Sequence, residues 1–193
     1  MKGVLVRRVH RPRWAGWAVA ALLALAAGAG TGVARPRWVT YRHPGLGFSI
    51  GYPAGWTVKT ANLPPGVQVL IEGPRSAGSA TVPLTVGVTV TPVPFDTSID
   101  DFFDDREDAA QRAPRSSGYQ RLRLSGAHIG GLPAILWYFV QQVGGSVRLY
   151  HIHLLVVDGL RGYSVTATTS ASSPRLRDET QLLQDSLMTF RPR

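Results

Sequence analysis

Cysteine is absent from all 193 residues. That excludes disulfides, thiolate zinc sites and a lipid-anchored N-terminal cysteine, and it leaves the compartment open. The short signatures of several chemistries are missing too. No G-x-S-x-G marks a serine nucleophile. Gly126, Gly130 and Gly131 are followed by no GK[ST], so they form no phosphate loop. No paired carboxylates fall at strand ends, where general acid–base chemistry would need them. No basic stripe interleaved with aromatics appears, which argues against nucleic acid. The formal charge of +9 does not alter this. Lys2, Arg7, Arg8, Arg11 and Arg13 crowd the N-terminus, and without them 16 basic residues face 12 acidic ones. Nearly all the bases are arginine beside much alanine, glycine and proline, a coding bias more than a nucleic-acid footprint.

What is present divides the chain in two. Residues 1–13 are basic and 14–34 carry no charge. A basic stretch before an apolar one is an export signal, with Ala27-Gly28-Ala29 or Gly32-Val33-Ala34 as small-x-small cleavage patterns. The same uncharged run is just long enough to span a bilayer with its positive flank inside. Residues 1–37 are therefore a signal peptide or an N-terminal membrane anchor. On either reading residues 38–193 form a domain facing outward, secreted or tethered to the membrane.

That domain opens with YRHPGLGFSIGYPAGW, residues 41–56. Phe48, Ile50 and Tyr52 alternate with small or polar residues, the period of a half-buried strand. Pro53 lacks the N–H a ladder needs and ends the strand. Gly55 turns the chain, and Trp56 is large enough to plug the end of a core. This stretch resembles the opening of the PsbP-like proteins, with their GFSI-x-YP-x-GW segment. DcrB-like and LpqN-like envelope proteins look similar, and the likeness extends loosely to Pro192. It implies an α/β/α sandwich, association with a membrane protein complex and calcium handling, and it implies no enzyme.

Further strands are expected at 39–42, 57–60, 67–72 and 84–91, with residues 73–78 a polar loop whose Arg75 could touch an anion. In the last of these strands Leu84, Val86, Val88 and Val90 oppose Thr85, Gly87, Thr89 and Thr91, a strand with one buried face. Residues 96–113 then read as a helix capped by Thr97 or Ser98. Its apolar stripe is narrow: Ile99, Phe102, Phe103, Arg106 and Ala110. Seven acids, Asp96, Asp100, Asp101, Asp104, Asp105, Glu107 and Asp108, cover the rest. They suit a solvated face, or a surface for calcium or a cationic partner, and they lack the loop glycine of an EF-hand. Four strands follow as a meander, at 119–129, 132–143, 146–157 and 162–169, joined by Gly130-Gly131, Gly144-Gly145 and Asp158-Gly159. A closing helix starts at Ser173-Pro174 and lines up Leu176, Thr180, Leu183, Leu187 and Phe190. The expected fold is α+β, a mainly antiparallel sheet of six or seven strands flanked by two helices.

If Gly144-Gly145 is a two-residue loop, Tyr138 faces His151 and Leu136 faces His153. If Gly130-Gly131 is a loop, Arg123 lies opposite Tyr138, and an even-length loop at Asp158-Gly159 puts Ser164 and Thr166 on the face of the histidines. One sheet face carries Leu122, Leu124, Ile135, Trp137, Phe139, Tyr150, Ile152, Leu154, Val165 and Ala167 as a core. The other is mixed, with Arg121, Arg123, Tyr138, Ser164 and Thr166 as a ligand-binding set beside His151 and His153. Two histidines at i and i+2 point the same way and can take zinc or copper, though no third ligand falls beside them. Three functions follow: a non-catalytic binding or assembly module outside the membrane, a metal-binding protein or metal-dependent enzyme using His151 and His153, or a lipid or small-molecule binder on the mixed face. No cofactor is required; calcium and zinc are the ions to test.

Overall fold

A computed structural model describes residues 36–113, 116–144 and 146–193. The expected leader lies outside the described residues. Five strands lead: β1 (Trp38–Arg42), β2 (Phe48–Pro53), β3 (Thr57–Lys59), β4 (Val67–Arg75) and β5 (Pro83–Pro92). Helix α1 (Ile99–Gln111) follows, then the meander β6 (Ser116–Ile129), β7 (Leu132–Val143), β8 (Val147–Asp158) and β9 (Arg161–Ser170). Helix α2 (Leu176–Met188) and the two-residue β10 (Arg191–Pro192) close the chain. Among the described residues no helix is long and apolar enough to cross a membrane.

The main sheet has seven strands in the order β3-β4-β5-β9-β8-β7-β6, every pair antiparallel. β1 and β2 do not join it. With β10 they form a separate three-stranded sheet, with β2 in the middle. Phe48 and Ile50 turn inward from this small sheet to meet Phe190 and Tyr163. Gly51 is needed where α2 comes closest, because a Cβ there would strike Thr189. Its N–H donates to Thr189 Oγ1 at 2.6 Å and its carbonyl accepts from Ser186 Oγ at 2.5 Å. Trp56 lies across Gly73, which leaves no room for a side chain at that position. The aromatic plug read from the sequence is thus seated on β4, and β4 runs on to Arg75 where a loop was expected.

α2 and the small sheet cover one face of the main sheet, and α1 covers part of the other. Leu183, Leu187 and the buried residues of β4, β5, β8 and β9 make the larger core. Phe102 and Phe103 of α1 make a smaller one with Ile135, Trp137, Phe139 and Leu155. Ser98 caps α1 in a reciprocal capping box with Asp101. α2 starts at Leu176, later than expected, because Ser173 and Pro174 form a preceding turn.

Two pairings depart from the expected register. Val143 pairs with Val147, so three residues rather than two separate these strands. An odd count moves β8 by one place and turns each of its side chains to the other face. His151 therefore faces Phe139 and His153 faces Trp137, beneath α1, while Tyr150, Ile152 and Leu154 join the α2 side. The second departure is in β6. The register shifts between Arg121 and Arg123, with Leu122 as the extra residue of a bulge. Arg123 faces Tyr138 as expected, but Arg121 faces Phe139, on the α1 side. Leu122 and Leu124, expected in the core, are 45% and 44% exposed.

Candidate functional site

The mixed face read from the sequence is divided between the two sides of the sheet. On the α2 side, Arg123 sets its guanidinium 5.4 Å above the Tyr138 ring. The Tyr138 hydroxyl donates to Gln184 Oε1 of α2 at 3.1 Å. Tyr150 of β8 lies on the same face, near enough for Arg123 and Tyr138 to act on its phenol. Burial pushes both phenols up and Arg123 pulls them partly back, so both remain protonated donors at neutral pH. Further along, Arg148 donates to Gln120 Oε1 at 3.1 Å. Arg123 and Arg148 are exposed, and among the described residues neither pairs with a carboxylate. An exposed guanidinium held by a ring or an amide keeps most of its N–H groups free for an acceptor from outside.

The α1 side holds His151, His153, Ser164 and Thr166 in neighbouring register positions. His151 stacks on Phe139, centroids 4.8 Å apart, and its Nδ1 lies 3.0 Å from Thr168 Oγ1. Burial pushes its pKa down to about 4. His153 meets Trp137 edge-on at 5.0 Å. Part of the residue reaches solvent, but its Nδ1 is enclosed, with no partner among the described residues. Burial, then His151, then Arg106 hold it well below the ordinary histidine range. Among the described residues no three His, Cys, Asp or Glu side chains gather to hold a metal. The cation Arg106 acts on His153, which opposes a bound metal ion there. Arg121 ends elsewhere on this side, 2.9 Å from Glu107 Oε2, with Tyr119 donating to Glu107 Oε1. Val147, Leu149, Val82, Pro83, Thr85 and Thr168 line a largely apolar depression of about 430 Å³ at the β7–β8 hairpin.

Sequence reasoning missed Glu179, which is buried in the first turn of α2. Its carboxylate accepts from Ser76 Oγ at 2.8 Å, the Ala77 N–H at 2.7 Å and Thr169 Oγ1 at 2.5 Å. Desolvation pushes its pKa up, but these bonds and one from Ser173 outweigh it and hold the group below its ordinary value. The site fastens α2 to the loop after β4 and to the end of β9. Arg75, read as a possible anion contact, instead donates to the Ala80 carbonyl. An acid in a helix's first turn is so common that only its burial reveals this role.

The fold is shared with solved proteins. Cyanobacterial PsbP (CyanoP) from Synechocystis sp. PCC 6803 superposes with a TM-score of 0.59 at 17% identity, over 86% of this chain and 99% of that one. The chain has the PsbP-like fold. LpqN of Mycobacterium tuberculosis, involved in cell envelope biogenesis, gives 0.55 at 16% identity over 81% of this chain and 91% of LpqN. The Saccharomyces cerevisiae Ran-binding protein Mog1p gives 0.59 at 8% identity over 81% and 96%. A PsbP-like fold thus serves proteins with unrelated roles, and the site must supply the function. No protein-family model and no curated protein matches the chain.

Proposed function

We propose that the chain is an exported, non-catalytic PsbP-like binding module that acts at the outer face of the membrane, in association with a membrane or envelope complex. The observation that carries this is the Arg123 cluster. A guanidinium rests on Tyr138 beside Tyr150 and Gln184, open to solvent and with no acid among the described residues to neutralise it. Such a group is suited to recognising an acceptor from outside. The basic and then uncharged pattern of residues 1–34 supports export, and the shared fold with LpqN fits an envelope role.

The test is made on the full chain with a C-terminal tag, in intact cells. Added protease reaches the domain without lysis, and a photo-crosslinker at position 150 captures a membrane-fraction component that one at position 104 does not. A domain protected until lysis, or equal capture from both positions, defeats the reading.

A further inference from the structure

The strip of sheet around Arg123 has a chemical bias beyond its openness. Its charged side chains, Arg123 and Arg148, are both cations. The phenol of Tyr150 and the amides of Gln120 and Gln184 add neutral donors between and beside them. The strand pairings fix their spacing. Arg123 shares a row with Tyr138, and Arg148 shares a row with Gln142. Four residues along β7 and two strand spacings place the arginines roughly 16 Å apart at their Cα atoms. One small ion cannot bridge that distance; an extended chain with repeated negative groups can. The acids of α1 lie on the opposite side of the sheet, and those of α2, on this side, have other partners: Asp178 faces Arg175, Glu179 is held by Ser76, Ala77 and Thr169, and Asp185 accepts from Gln181.

We propose that this strip binds an acidic glycan, a saccharide chain bearing carboxylates. Arg123 pairs with one carboxylate and Arg148 with another, while Tyr150 and the glutamines bond the hydroxyls between. Guanidinium meets carboxylate through two parallel N–H bonds, and phenols and amides suit sugar hydroxyls. An acidic peptide fits less well. An added peptide strand needs a free ladder, and β6, the strand at this edge, has its ladder broken by two register shifts between Ser117 and Arg123, the stretch that borders the strip. This inference rests on the domain being a binding module and names what that module binds.

Calorimetry of the full chain with hexagalacturonate tests it, with inorganic phosphate, hexaglutamate and an uncharged cello-oligosaccharide as comparison probes. Hexagalacturonate binds most tightly, and its affinity falls as salt rises. Arg123→Gln and Arg148→Gln each weaken binding about tenfold, the loss expected for one charge-assisted contact. Tyr150→Phe weakens it less. Arg121→Gln, two residues away but on the opposite face, leaves it unchanged. Phosphate or hexaglutamate binding as tightly overturns the glycan, and so does binding indifferent to Arg123→Gln. No binding with capture from position 150 intact overturns this inference alone. Loss of that capture as well overturns the binding module itself.

Discussion

Glu179 sits where three segments meet, and its charge is held by hydroxyls and one amide rather than by a cation. Each of those donors would lose its acceptor together with it. Glu179→Gln keeps the shape but turns an N–H₂ group toward donors. We expect a loss of about 3 kcal/mol, read as a lower urea midpoint with an unchanged slope. The neighbouring acid cannot take over, because Asp178 is exposed and turned to Arg175 at 3.7 Å. Single residues also mark where the sequence was readable. Phe48, Tyr52, Pro53, Gly55 and Trp56 predicted a strand, a stop and a plug from their own chemistry. Glu179 carried no such sign, because its partner Ser76 lies 103 residues away in the chain and only the fold brings the two together.

Element by element, strands were legible from alternation and helices from their caps and stripes. Turn parity was not. Gly144-Gly145 has the composition of a two-residue turn, yet the connection takes one residue more, and that single residue moved both histidines to the other face. The bulge at Leu122 separated Arg121 from Arg123 in the same way. Composition names a turn without counting its residues, and a bulge leaves the hydrophobic pattern almost untouched. The two helices differ in what they cover. Among the described residues, α1 belongs to a buried cluster of six and α2 to one of twenty. Each helix buries two apolar side chains, but α2 is also fastened to its surroundings through Glu179 and Ser186, and more ties mean a higher opening free energy. Hydrogen exchange should show α1 amides exchanging through a smaller barrier than those of α2. Equal protection of both helices would contradict this.

For the whole molecule, acid is the natural stress. His151 has a folded pKa of about 4 against an ordinary 6.5. The unfolded chain binds its proton more readily, so stability is full above pH 6.5 and is lost as pH falls from 6.5 through 4. The loss from this residue is about 3 kcal/mol, and His153 adds to it in the same direction. Unfolding midpoints measured between about pH 7.5 and pH 4 should fall, and His151→Phe should flatten the curve. The overall α+β architecture was legible because it follows from element order and length. The division of polar residues between its two sides was not, because it depends on two single-residue offsets.

The broken ladder of β6 has one more consequence. An exposed strand at the border of a sheet is a template on which a second chain can add, copy after copy, until insoluble fibrils form. β6 interrupts its own pattern twice and places Arg121 and Arg123 along the border. At the other border β3 is only three residues long and carries Lys59. β3 is too short to act as such a template, and on β6 the two shifts confine the regular run to Arg123–Ile129, which opens on a charge that an added chain would have to accommodate.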